Sequence, residues 1–158
     1  MKDCEVRYAE RAELARVNEI RAMVNEVHVN GRPDIFRPGF CEALQAHIYE
    51  RFDSAASDVI VALMDGVVCG FATVEYVERP MSPYNLSRRY YHIEEFGVDA
   101  AYRRMGVATA LIEFCRQEAV NKGFARIELD MWEFNESALQ FYEAAGFRTF
   151  RRYMELDV

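Results

Sequence analysis

Apolar positions in this chain fall into two rhythms that alternate along its length. The helical rhythm comes first at Val17, Ile20, Val24 and Val27, which line one face of a helix running from Glu10 until Gly31 and Pro33 stop it. A second helix, Phe40–Phe52, carries Phe40, Leu44, His47, Ile48 and Phe52 on its inner stripe, which makes His47 a packed or rim histidine. A third, Arg104–Asn121, places Val107, Ala110, Leu111 and Phe114 at successive turns of one face and ends at Gly123, a residue type suited to a left-handed cap. The last begins after Asn135, a good N-cap, and aligns Ala138, Phe141, Tyr142 and Ala145 before Gly146.

Strand rhythm fills the intervals. Cys4–Tyr8 alternates in polarity, and Val59–Met64 is a nearly continuous apolar run. Asp65-Gly66 is a strong hairpin signal, and the returning strand Val67–Val77 contains Gly70, a candidate bulge. Tyr90–Val98, Phe124–Trp132 and Phe147–Leu156 complete the set, with a turn at Ser54–Asp58 and a loop at Glu78–Arg89 between elements. The order predicts one α/β domain over residues 1–158. Its mixed sheet is mostly antiparallel, with a parallel strand pair around the third helix and helices on both faces. The loop His28–Gly39 displays Arg32, Arg37, Ile35 and Phe36; such a loop either packs against its own fold, the commoner outcome, or covers a ligand.

Composition narrows the functional class only a little. With 158 residues, 51% hydrophobic and 28% charged, the chain is an ordinary globular one. A net charge of −7 argues against nucleic acid as a partner and is compatible with a cationic amine substrate. No apolar run is long enough to span a membrane, and MKDCEVRYAER lacks a signal core. Cys4, Cys41, Cys69 and Cys115 are scattered and read as reduced thiols of a cytoplasmic protein; Cys69 and Cys115 lie in core patterns without an adjacent histidine. His28, His47 and His92 are equally dispersed, so no metal is expected.

Ile93–Leu111 is where chemistry concentrates. A strand feeds a helix opened by Arg103, Arg104, Met105, Gly106, Val107 and Ala108. First-turn N–H groups lack intrahelical partners, the helix dipole adds positive character, and the arginines supply charge, so this is physically an anion site. Gly106 admits a ligand close to the backbone; the competing role is to permit close helix–sheet packing.

The spacing Arg103-x-x-Gly106-x-Ala108 resembles the pyrophosphate-binding motif (Q/R-x-x-G-x-G/A) of the GNAT N-acetyltransferase family. Asn135-x-x-Ala138-x-x-Phe141-Tyr142-x-x-x-Gly146-Phe147 resembles the family's second signature. Ala108 replaces the commoner glycine, and Arg104 stands where many members have glycine. The resemblance implies the acyl-CoA N-acyltransferase fold and direct transfer of an acetyl group from acetyl-CoA to a primary amine of a small molecule or peptide, in a ternary complex. It implies that Phe96 and Val98 offer main-chain groups to the pantetheine where two strands splay, Gly97 being either the opening bulge or a mere weak spot. Arg103, Arg104, Met105, Gly106, Val107, Ala108 and Thr109 would hold the diphosphate, and Asn135 would touch the pantetheine arm.

For the amine proton Glu94 is favoured, with Glu95 and His92 as alternatives. Strand neighbours point to opposite faces, so only one glutamate would face a given pocket, and a carboxyl partly buried among apolar groups has a raised pKa suited to a base. Glu95, His92 and Phe36 are candidates to contact the acceptor. Tyr142 matches the family's acid for the leaving thiolate and fits equally a core stripe. A non-catalytic acyl-CoA sensor is the rival reading, and an exposed edge at Phe147–Leu156 could pair two copies.

Overall fold

Both faces of a single sheet are apolar, and each is covered by helices. The computed structural model describes residues 3–158. In chain order it contains β1 (Cys4–Tyr8), α1 (Leu14–Gly31), α2 (Glu42–Asp53), β2 (Ser57–Met64), β3 (Val67–Arg79), β4 (Arg88–Val98), α3 (Val107–Asn121), β5 (Ile127–Glu128) and α4 (Glu136–Ala144), with short 3-10 turns before α1 and α3. Strand order in the sheet equals chain order; β4 and β5 run parallel and every other pair antiparallel. The mixed α/β class expected from the sequence is therefore what the chain adopts.

Ile60, Ala72, Val74, Tyr91 and Ile93 pack on Val107, Leu111, Ile112 and Cys115 of α3. On the opposite face Val59, Val61, Leu63 and Phe71 meet Leu14, Val17 and Ile20 of α1 and Ile48 of α2. A strand buried on both sides needs no alternation, which is why β2 reads as a continuous apolar run. Beneath α3 lies a buried carboxylate, Glu118, which accepts the hydroxyls of Tyr8 and Tyr91 and shares that of Tyr76 with Asp58.

Two bulges shape the sheet. At the first, Gly70 faces Ala62 while Val68 faces Leu63, leaving Cys69 as the extra residue. The expected irregularity at Gly70 is present, and a Cβ there would lie 2.9 Å from Val107 Cγ1, so the glycine also lets α3 approach the sheet. At the second, Glu95 pairs with Thr73 and Ile93 with Val74, so the extra residue is Glu94. The bulge in β4 is thus at Glu94, and Gly97 has a different reason to be there. A Cβ on Gly97 would sit 2.6 Å from Val24 Cγ2, so it admits α1 against the strand.

Among the boundaries that differ from the sequence expectation, three bear on the site and the sheet edge beside it. α3 starts at Val107 because Arg104 (φ 61°) and Gly106 (φ 81°) are left-handed and cannot continue a right-handed helix. The strand expected over Phe124–Trp132 contracts to Ile127–Glu128, since β5 parts from β4 immediately afterwards. The strand expected over Phe147–Leu156 does not form, and residues 148–158 run exposed along the surface, outside the sheet. A strand exists only where a neighbour completes its ladder, and alternation alone supplies none.

Candidate active site

β4 and β5 are paired only at Tyr91↔Ile127 and His92↔Glu128. Beyond that point Ile93–Val98 has β3 on one side and no strand on the other. Asp99 N–H donates to Cys69 O of β3 at 2.8 Å, so alternation turns the main-chain groups of Val98 and Phe96 to the open edge. Those are the two residues whose backbone the sequence reading assigned to a pantetheine.

The open edge leads to the start of α3. A hollow of about 210 Å³ there is lined by Val98, Tyr102, Arg103, Arg104, Gly106, Val107, Ala108, Thr109 and Phe141. Met105 is absent from this lining, against expectation; it is half exposed on the same turn. The first intrahelical bond runs from Ala110 N to Gly106 O, which leaves the N–H groups of Val107, Ala108 and Thr109 without helical partners. Nothing lies within 4 Å of a Cβ built on Gly106, so the glycine serves the turn and an open approach rather than packing against the sheet. The guanidinium groups of Arg103 and Arg104 make no ion pair within the described residues and are exposed. A hard anchor holds this turn from below: Asp99 accepts from Ala101 N–H and pairs with Arg16 of α1, contacts that hold its carboxyl below the usual range.

On the other face of β4 lies a charged cluster that the bulge creates. Glu94 and Glu95 both turn toward α1 and α2, so the expectation that strand neighbours diverge fails at this position. Arg51 of α2 donates from Nη2 to Glu94 Oε1 at 3.1 Å and from Nη1 to Glu75 Oε2 at 3.3 Å; its Nε lies 2.9 Å from Glu94 Oε2 and donates to His47 Nε2 at 3.3 Å. His47 Nε2 lies 3.0 Å from Glu94 Oε1, and Thr73 Oγ1 donates to Oε2 at 3.3 Å. Glu94 therefore sits among cationic and polar groups rather than in an apolar strand. Glu95 is held by Arg21, whose Nε and Nη2 donate to it at 2.9 and 3.1 Å. Arg21 is only 4% exposed, and its Nη1 donates to Asn18 Oδ1 and the Leu44 carbonyl. His92 Nδ1 lies 3.1 Å from Glu75 rather than beside Glu94.

Arg21, His47 and Arg51 are the residues sequence reasoning missed. Arg51 follows His47 by one helical turn and so shares its face, the one signal that a polar pair points inward. Arg21 offered none: it occupies a face otherwise read as apolar.

An aromatic cluster closes the end of α1. His28 stacks on Phe36 at 5.1 Å, Phe36 meets Trp132 edge-on at 5.0 Å, and Phe134 contacts His28 and Trp132. Burial pushes the His28 imidazole below its ordinary pKa, while the charge of Glu95 pulls the other way. Phe36 is thus held by packing, the commoner of the two outcomes for its loop.

Tyr142 packs beside Phe96, Phe141 and Phe147. Burial pushes its phenol up to about 12, with the neighbouring Cys115 adding to the shift. Asn135 caps α4 by accepting from Ala138 N–H at 3.3 Å. Cys69 and Cys115 are buried, and burial raises both thiols. Among the described residues no group of His, Cys, Asp and Glu has the arrangement to hold a metal, and no helix is long and apolar enough to cross a membrane.

The sequence profile of the acetyltransferase (GNAT) family matches residues 26–147. The chain is 28% identical over 160 residues to the L-amino acid N-acetyltransferase AaaT of Escherichia coli K12, covering 93% of this chain and 84% of that one. It is 40% identical over 67 residues to glucosamine 6-phosphate N-acetyltransferase of Trypanosoma brucei brucei, covering 42% of this chain and 44% of that enzyme. The chain spans less than half the length of two of the curated relatives it matches. Among solved structures, the tetramutant of BH1408 protein from Bacillus halodurans superposes with a TM-score of 0.92 at 26% identity, covering 98% of this chain and 99% of that one.

Proposed function

Because this chain belongs to the acetyltransferase (GNAT) family, we propose that it transfers an acetyl group from acetyl-CoA to the primary amine of a small molecule or peptide within a ternary complex. One observation carries this reading: β4 and β5 separate after His92 and Glu128, and the open edge of β4 runs straight to the hollow at the start of α3. A thioester arm laid along Phe96 and Val98 would place its diphosphate over the free N–H groups of Val107, Ala108 and Thr109, with Arg103 and Arg104 flanking it. Met105 contributes through the turn it belongs to, and Asn135 borders the arm.

The reacting groups would then meet at the gap between the strands. Glu94, Glu95, His47 and His92 are on the side of α1 and α2; Tyr142 is on the side of α3, against Phe96. The acceptor enters from the first side, with Glu75 and Glu95 attracting its ammonium and Phe36 bounding its path. The ammonium gives its proton to the hydrogen-bonded Glu94–His47 pair, directly or through one water. The free amine attacks the thioester carbonyl, the C–S bond breaks, and the departing thiolate takes the Tyr142 hydroxyl proton, while the surplus proton on the amide nitrogen leaves through water and restores the phenol. A buried phenol that stays protonated at neutral pH suits that step.

Relatives named for amino-acid and amino-sugar acetylation support a small-molecule amine as the acceptor class. Four unpaired cysteines fit a cytoplasmic setting. The deciding experiment is acetyl-CoA turnover across an amine panel, followed by free-thiol release. Turnover on one amine class supports transfer. Tight CoA binding with no turnover on any amine would favour the sensor reading.

A further inference from the structure

Taking Glu94 as the base of the proposed transfer, we propose that Thr73 of β3 is its positioning residue: one buried hydroxyl selects which oxygen of Glu94 receives the proton of the acceptor amine. The starting point is a polar group that the fold itself does not need. Residues 68–74 of β3 are all buried, and Thr73 carries the single hydroxyl among them. It is 0% exposed and shares the face of Phe71, which packs against α1 and α2. Valine would suit a buried strand position at least as well. A buried hydroxyl is costly unless it is hydrogen-bonded, so its partners give the reason for its presence.

Both partners belong to the β4 bulge. Thr73 Oγ1 accepts from the backbone N–H of Glu95 at 3.1 Å and donates to Glu94 Oε2 at 3.3 Å. The incoming N–H occupies one side of the hydroxyl oxygen, and Oε2 is the one acceptor among the described residues for the hydroxyl's own proton. A proton placed on Oε2 would meet that hydrogen head on, or turn it to where nothing buried accepts it. Oε1 stands differently, 3.0 Å from His47 Nε2 at the more open end of the cluster. Arg51 does not tell the two oxygens apart, since its Nη2 donates to Oε1 at 3.1 Å and its Nε lies 2.9 Å from Oε2. Thr73 does. The proton that leaves the ammonium nitrogen is therefore taken up on the side of Oε1 and His47, and the nitrogen keeps the electron pair with which it attacks. The branched Cβ of threonine leaves few χ1 settings in a strand, which holds the hydroxyl in this one.

The test measures turnover in Thr73→Val, Thr73→Ala and Thr73→Ser, each alone and combined with Glu94→Gln. The acceptor is whichever amine of the panel the wild type acetylates fastest. Losing the hydroxyl is expected to lower kcat about tenfold while acetyl-CoA affinity stays within about twofold, because the base is misaimed and the cosubstrate site is untouched. Thr73→Ser returns the hydroxyl on a freer χ1 and should remain within about threefold of wild type. In Glu94→Gln there is no carboxylate left to position, so Thr73→Val should lower kcat by less than about twofold more. Urea unfolding of each variant separates stability from turnover, and Thr73→Ala keeps the comparison available where valine prevents folding. Equal fractional losses in both backgrounds, or Thr73→Ser as slow as Thr73→Val, would leave Thr73 a structural residue and overturn the proposal. Full turnover in Thr73→Val beside a slow Glu94→Gln overturns it alone. Full turnover in Glu94→Gln, or none by wild type on any amine, overturns the parent reading and Thr73 with it.

Discussion

Arg51 ties Glu94 to His47: its Nη2 donates to Glu94 Oε1 at 3.1 Å, and its Nε, 2.9 Å from Glu94 Oε2, donates to His47 Nε2 at 3.3 Å. His47 Nε2 lies 3.0 Å from Oε1 and Thr73 Oγ1 donates to Oε2 at 3.3 Å, so the carboxylate is fixed in one orientation at the β4 bulge. In the proposed mechanism that orientation aims the Glu94–His47 pair. Arg51→Lys keeps the charge and loses the planar fork, so it should lower kcat by about tenfold or more while leaving acetyl-CoA affinity within about twofold. Steady-state kinetics beside a CoA binding titration checks this; equal kcat in the variant would remove Arg51 from the mechanism.

Tyr142→Phe removes a single hydroxyl and keeps the ring among Phe96, Phe141 and Phe147. CoA affinity should hold, and turnover should drop at least about tenfold, the usual loss for a general acid. The phenol is pushed up to about 12 by burial, so the wild-type group stays protonated throughout the working range. The deficit should accordingly be the same factor across about pH 6 to 9. A deficit that varied with pH in that range would mean Tyr142 is not the proton donor.

The order of elements and the anion-binding turn were legible in the sequence because both depend on local patterns. Apolar spacing set the helices, Asp65-Gly66 set the hairpin, and Gly106 with its arginines marked the turn. The acceptor face was only half legible. Glu94, Glu95 and His92 could be named, yet nothing local reveals that an extra residue at Glu94 swings both glutamates to one side, since a bulge arises from pairing with β3. Arg21 is buried by contacts more than seventy positions away in the chain, which no helical periodicity encodes. Phe147–Leu156 shows the opposite failure. Its pattern is that of a strand, yet no ladder forms for it among the described residues.

Two glycines separate binding from packing. Gly106 has φ 81° and open space where a Cβ would go, so Gly106→Ala should lose about 1–2 kcal/mol of stability from backbone strain alone and also weaken CoA binding at the diphosphate. Gly97→Ala would place a methyl 2.6 Å from Val24 and 3.0 Å from Phe71, an overpacking loss of about 1–3 kcal/mol. Denaturant unfolding and CoA titration on both variants test the distinction. CoA affinity reduced in Gly97→Ala and intact in Gly106→Ala would reverse the assignment.

Asp99 ties the same turn to acid stability. Ala101 N–H and Arg16 favour its charged form and lower its folded pKa below that of the unfolded chain. The unfolded state then binds more protons between the two values, so this contribution is complete above about pH 4 and fades as pH falls through the folded pKa. Asp99→Asn should lower stability at neutral pH and flatten its decline below about pH 4. Urea unfolding at a series of pH values measures both; an unchanged acid slope would show that Asp99 is not the titrating group.

Glu118 gives the last test, because its three phenols differ in exposure. Tyr91 is fully buried and donates to Oε2, whereas Tyr8 is 44% exposed and donates to Oε1, an oxygen it shares with Tyr76. Removing the Tyr91 hydroxyl deprives a buried charged acceptor of a donor that water cannot replace, so Tyr91→Phe should lose about 1.5–3 kcal/mol. Water can reach the Tyr8 position and replace its hydroxyl, so Tyr8→Phe should lose less than about 1 kcal/mol. Glu118→Ala strips the acceptor from Tyr8 and Tyr91, leaves Tyr76 with Asp58, and opens a void beneath α3, which places it above either single tyrosine change. Equilibrium unfolding in urea ranks the three. Equal losses for Tyr8→Phe and Tyr91→Phe would mean that the carboxylate is solvated and that packing, rather than this hydrogen-bonded core, fixes α3 to the sheet.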